Sequence, residues 1–317
     1  MSESTSHSGA VSGSAMTASD LRGVYTALIT PFSDGAFDEA ALGRQVERQV
    51  AAGVAGVVPV GTTGESPTLT HPEHGRVIQA TVRAAAGRVK VLAGTGSNST
   101  AEAIDLTAHA KDVGADGALH VSPYYNKPTA EGLRRHFTAI ADAVDLPVVL
   151  YDIPGRTAVA IPPEVTLELS GHPGIIGIKA ATGSIDLVSE LASQTDPASF
   201  GIISGDDSLT LPMMSVGGVG VTSVLSNLLP QRVVEMVKSA SAGDWAGAKA
   251  QHLAMFPLCR GLLSLATNPI PIKAAMRLAG LDTGEVRLPL TELDGEALAR
   301  LAEILASAGV SAEPAHA

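Results

Sequence analysis

Cysteine occurs once, at Cys259, so the chain can form no internal disulfide and no cysteine cage for a metal. Its neighbours Leu258 and Arg260 belong to a helical run without a nearby histidine, so Cys259 reads as a buried core thiol and not a nucleophile. Cationic side chains are also few: 21 Lys and Arg face 32 Asp and Glu, a formal charge of −11. The densest basic pair is Arg134-Arg135, too little to hold a phosphate backbone, which excludes a nucleic-acid partner and favours a small metabolite. No run is long and apolar enough to cross a bilayer, so no membrane partner is expected. The first twenty residues, mostly Ser, Thr, Gly and Ala, lack the basic start and apolar stretch of a secretion signal. Residues 1–20 read as a disordered tail, and the protein as cytoplasmic.

What the 317 residues do contain is a repeating pattern. Short apolar, β-branched runs occur at Val24–Thr30, Gly56–Val60, Val89–Gly94, Gly117–Ser122, Val148–Tyr151, Ile175–Lys179, Phe200–Ser204 and Val219–Ser223. They lack polar alternation, as strands covered on both faces do. Amphipathic stretches separate them: Asp38–Ala52, Pro72–Ala86, Thr100–Val113, Ala130–Val144, Pro162–Ser170, Ser184–Gln194 and Asp207–Val216. The pattern predicts an α/β fold, a (β/α)8 TIM barrel over 21–230 with a small C-terminal helical domain over 231–317. An open doubly wound sheet is the alternative, but Thr30-Pro31-Phe32 stands where its glycine-rich turn belongs. Helices are predicted at Gln231–Ala240, Trp245–Leu265, Ile272–Leu278 and Leu293–Ala308, the last three as an appendage on the barrel.

In such a barrel the reactive groups stand at the carboxyl ends of the strands. Of seven lysines, Lys111, Lys127, Lys238 and Lys249 fall in helices or polar loops, Lys90 near the start of a strand and Lys273 in the appendage. Lys179 instead closes the apolar run Gly-Ile-Ile-Gly-Ile. It either snorkels to water or, poorly hydrated, loses its proton and becomes a nucleophile toward carbonyls. Tyr151 ends the preceding strand, and Tyr124-Tyr125 follow the one before. Each tyrosine alone reads as a core filler, but hydroxyls beside an amine suit the proton transfers of Schiff-base chemistry. Gly61-Thr62-Thr63-Gly64-Glu65-Ser66 adds two hydroxyls at the mouth; this loop and Gly94–Ser97 also fit a phosphate cradle or an ordinary turn. Arg156, on a turn after the fifth strand, suits a substrate carboxylate or a surface ion pair.

Five motifs occur in order: Gly61-Thr-Thr-Gly-Glu-Ser66, Ser122-Pro-Tyr-Tyr-Asn-Lys-Pro128, Tyr151-Asp-Ile-Pro-Gly-Arg-Thr157, Gly177-Ile-Lys-Ala-Ala-Thr-Gly183 and Ser204-Gly-Asp-Asp207. Together, over about Gly23–Ala308, the chain resembles the dihydrodipicolinate synthase / N-acetylneuraminate lyase family. The resemblance implies a lyase of class I aldolase type, with Lys179 as Schiff-base lysine and Tyr151, Thr62 and Tyr125 as a proton relay. Tyr125 would reach in from a neighbouring subunit. Thr63 and the backbone at Thr222 would hold pyruvate, Arg156 the carboxylate of the incoming aldehyde, and Gly205 would line the pocket. The implied reaction condenses pyruvate with L-aspartate 4-semialdehyde to 4-hydroxy-tetrahydrodipicolinate, in the diaminopimelate route to lysine, with no metal or organic cofactor and in a homotetramer. A lysine inhibitor site would draw on Ser66, Pro67, His71, His74, Asn98, Glu102 and Tyr124, unless the histidines merely open a surface helix. Pro67 and Ala180 depart from the family pattern, which often has Ala and Glu there. Sugar-acid aldolases of the same family and a non-catalytic metabolite-binding barrel are the alternatives; Arg156 speaks against the first, and Lys179, Tyr151 and Thr62 against the second.

Overall fold

The computed structural model describes residues 16–310. Eight parallel strands close into a barrel: β1 (Gly23–Ala27), β2 (Gly56–Val58), β3 (Lys90–Gly94), β4 (Gly117–Val121), β5 (Val148–Asp152), β6 (Ile175–Ala180), β7 (Gly201–Ser204) and β8 (Gly220–Ser223). Each pairs with the next, and β8 returns to β1 through Gly23↔Gly220 and Tyr25↔Thr222. The parallel barrel is therefore the fold, and the open sheet is not. The first two strands end sooner than their apolar runs because the chain turns out over the rim, where the Thr30 hydroxyl donates to the Gly64 carbonyl at 2.6 Å.

Eight helices ring the barrel: α1 (Glu39–Ala52), α2 (His71–Ala85), α3 (Thr100–Asp112), α4 (Ala130–Ala143), α5 (Pro163–Leu169), α6 (Ile185–Gln194), α7 (Thr210–Ser215) and α8 (Pro230–Ser241). Their starts follow local chemistry. Asp38 caps α1 by accepting from the Ala41 amide, and Thr70 with Glu73 forms a reciprocal capping box on α2. Gly53 ends α1 in the left-handed region, φ 75°. Two small elements escaped the periodic reading. Phe32–Ser33 pairs antiparallel with Ala36–Phe37 around Asp34-Gly35, and Pro154–Thr157 forms one helical turn after β5.

α9 (Trp245–Ser264), α10 (Ile270–Leu278) and α11 (Gly295–Ser307) make the appendage. α8 packs on β1 and α1 as the eighth helix of the ring and also on α9, so it joins the barrel to the appendage. Cys259 is buried in α9 against the main core, and burial pushes its thiol up from the ordinary range. Among the described residues no helix is long and apolar enough to cross a membrane.

The barrel interior is a filled core in which Tyr25, Val58, Leu92, Leu119, Val149, Ile176 and Ile203 pack together. Met16, Ala18 and Leu21 join that cluster from a 3-10 turn, Ala18–Leu21, and plug the barrel's amino-terminal end. Gly177 makes room for the plug, since a methyl group there would lie 2.5 Å from the Leu21 side chain. The tail expected over 1–20 is corrected for residues 16–20, which are ordered, with Met16 and Ala18 buried in the core; residues 1–15 lie outside the described residues.

Candidate active site

Strand alternation aims Lys179 inward. Ile178 and Ala180 belong to the cluster under the helices, so Lys179 between them turns to the barrel interior. It stands in register with Tyr151 on β5, its Nζ 4.0 Å from the centre of the Tyr151 ring, and it is only 6% exposed. Burial pulls its pKa down to about 7; Asp207 works against that shift and Arg156 with it. The snorkelling alternative is thereby set aside. Gly205 clears the space for the lysine stem, because a Cβ there would meet Lys179 Cε at 2.9 Å.

Tyr151 is buried as well, and burial pushes its hydroxyl up to about 12, tempered by Arg156 and by the nearby Thr62 side chain. Thr62 comes from the Gly61–Ser66 loop, which turns tightly because a side chain on Gly64 would collide with the Val60 backbone at 2.8 Å. The Glu65 and Ser66 amides donate to the Thr62 and Gly61 carbonyls, so they are spent within the loop and do not point at a phosphate. Thr63 is buried, and its hydroxyl accepts from Asn268 Nδ2 at 2.9 Å. Arg156 rises from the turn after β5, where its Nη2 donates to the Asn268 main-chain carbonyl at 3.2 Å and not to a carboxylate.

A cavity of about 440 Å³ opens at the barrel mouth. Thr62, Tyr151 and Arg156 line one part, and Ser66, Pro67, His71, His74, Glu102 and Tyr124 line the rest. Lys179 lies against the Tyr151 ring, and neither it nor Thr63, Gly205 or Thr222 is among the cavity's lining groups. In the outer part His71 Nε2 sits 2.7 Å from Glu102, and Ser97 donates to the same carboxylate. Burial drives the His74 pKa down to about 4, leaving it neutral with Nδ1 unpartnered. Asn98 does not line the cavity; its Nδ2 reaches back to the Tyr124 carbonyl at 3.4 Å. Tyr125 is not brought in at all. It is 90% exposed with φ 70°, and it is not among the groups that line the cavity.

Thr222 on β8 is buried, and its hydroxyl has no partner among the described residues. Sequence reasoning missed Asp207 and Asn268. Asp207 is half-buried where its carboxylate supports Lys179, and it accepts from Ser223 and from the Val224 and Leu225 amides. It stood within the Ser204–Asp207 motif, so a signal was available. Asn268 falls between the helices predicted at Trp245–Leu265 and Ile272–Leu278, and nothing local to it points 205 residues back to Thr63.

Comparison with known proteins agrees with this geometry. Residues 20–308 match the Dihydrodipicolinate synthetase family. The chain is 50% identical to the 4-hydroxy-tetrahydrodipicolinate synthase of Methanosphaerula palustris over 288 residues, 90% of this chain and 98% of that one. It is similar in structure to the chloride-inhibited dihydrodipicolinate synthase from Acinetobacter baumannii complexed with pyruvate (42% identity, TM-score 0.88, 92% and 99% of the two chains). The enzyme from Cyanidioschyzon merolae with lysine bound also superposes (38% identity, TM-score 0.88, 92% and 99%). With family match, relatives and barrel in agreement, the chain belongs to the dihydrodipicolinate synthetase family.

Proposed function

We propose that the protein is a 4-hydroxy-tetrahydrodipicolinate synthase that condenses pyruvate with L-aspartate 4-semialdehyde. The observation that carries the reading is a buried lysine, its pKa lowered to about 7, lying against the ring of a buried tyrosine at the barrel mouth. A neutral Lys179 amine attacks the ketone carbon of pyruvate, and loss of water gives the iminium. Removal of a methyl proton gives an enamine, whose carbon attacks the aldehyde. The aldehyde oxygen takes up a proton, and the substrate's own amine then displaces Lys179, so that one water leaves overall.

Tyr151 and Thr62 suit the proton transfers, since a hydroxyl held near 12 remains a donor at neutral pH and Thr62 lies beside it. Thr63 and the Thr222 region hold the pyruvate carboxylate, and Arg156, the cationic group lining the inner cavity, takes that of the aldehyde. Tyr125 completes the relay from a second subunit, a role that fits its exposure. The enzyme is then at least a dimer, and we place it, as a homotetramer, in the cytoplasm. Glu102, His71 and Tyr124 present the charge and hydroxyl that a lysine effector needs in the outer cavity. The scheme uses no metal or organic cofactor.

Turnover with pyruvate and aspartate semialdehyde, set against cleavage of a 2-keto-3-deoxy sugar acid, tests the assignment. Faster turnover of the aldehyde pair supports it, and faster cleavage of the sugar acid assigns the chain to the family's sugar-acid aldolases.

A further inference from the structure

The segment Asn268–Lys273 of the appendage makes three contacts with the catalytic face. The Asn268 side chain donates to Thr63 at 2.9 Å, its main-chain carbonyl accepts from Arg156 at 3.2 Å, and Lys273 pairs with Glu65 at 2.5 Å. Lys273 and Glu65 are both fully buried, and Glu65 also accepts from the Arg287 amide. The loop carrying Thr62 and Thr63 is thus fixed to the same stretch of chain that touches Arg156.

A hydroxyl has one hydrogen to donate and two lone pairs to accept with. Asn268 Nδ2 occupies an acceptor position on Thr63 Oγ1, and that hydroxyl makes no other hydrogen bond among the described residues. Its hydrogen is left to donate, and a donor suits a carboxylate. We infer that Asn268 is a positioning residue: it aims the Thr63 hydroxyl as a donor toward the ketoacid carboxylate and, through its main-chain carbonyl, fixes the distance from that group to Arg156. The inference rests on the roles proposed above for Thr63 and Arg156. It ties the appendage to substrate recognition as well as to support of the barrel.

Asn268→Asp is the sharpest test, since it keeps the shape of the side chain while removing its donor. The expected result is a rise of about tenfold or more in KM for pyruvate, as for loss of one hydrogen bond to a charged group, with KM for the aldehyde within about twofold. The main-chain carbonyl that Arg156 uses is unchanged by this substitution. Unaltered pyruvate KM would overturn the inference, as would an equal rise for both substrates, which a merely structural role would give. If Asn268→Asp does not fold, a cycle of Thr63→Val with Asn268→Ser reads the same coupling. Strong non-additivity in KM for pyruvate supports it, and simple additivity overturns it. Trapping of wild-type enzyme by borohydride and pyruvate keeps the two levels apart. Failure to label Lys179 removes the proposed function, whereas labelling with a silent Asn268→Asp removes only the positioning role.

Discussion

Lys179 is surrounded by groups that pull its proton in opposite directions. Burial and Arg156 drive it off while Asp207 holds it on, and the balance lies at about 7. Because only the neutral amine attacks a ketone, kcat/KM for pyruvate should rise with pH through about 7 and level off above, a profile read from initial rates at low pyruvate. The same sign applies to stability. The unfolded chain holds the lysine proton up to its ordinary value, so this group's contribution to stability increases as pH rises from about 7. Asp207 is half-buried and hydrogen-bonded within the strand-end turn, so Asp207→Asn should shift the kcat/KM midpoint downward, by loss of a charge that favours the ammonium. Gly205→Ala should jam the lysine stem and cost about 1–3 kcal/mol of stability along with most of the activity, measured by thermal melting and turnover. Lys179 and Tyr151 could be read from the chain because a strand end is a local feature. The support given by Asn268 could not, because it depends on a contact made only after the barrel closes.

At the scale of elements, the Gly61–Ser66 loop depends on a helix more than 200 residues away. From sequence Lys273 reads only as a lysine of the appendage, whereas it is buried between Glu65 and the Phe32 ring, 4.2 Å from the ring centre. Burial lowers its pKa, and the Glu65 carboxylate opposes that shift. Removing one partner of such a pair leaves a buried, unmatched charge. Lys273→Met should therefore destabilise the fold by about 3–5 kcal/mol in denaturant melts, and the double variant Lys273→Met with Glu65→Leu should recover much of that loss. Periodicity revealed the eight strands and the long helices, since each writes its own pattern into neighbouring residues. It did not reveal the 16–21 plug, because a single 3-10 turn has too few residues to show a period and its buried face exists only against the barrel floor.

At the scale of the whole molecule, one chain holds Lys179, Tyr151 and Thr62 together and turns Tyr125 outward. If Tyr125 serves a neighbouring site, mixed assemblies of Lys179→Ala and Tyr125→Phe chains should regain activity that neither parent shows. Each mixed pair then contains one site with both groups intact. No recovery on mixing would place the Tyr125 function within its own chain. The proposed chemistry requires the lysine itself, and mass analysis of peptides after incubation with pyruvate and borohydride tests that requirement most directly. A reduced pyruvate adduct on the Lys179 peptide, lost in Lys179→Ala, is the predicted result; an unmodified Lys179 peptide in an enzyme that still turns over would contradict it.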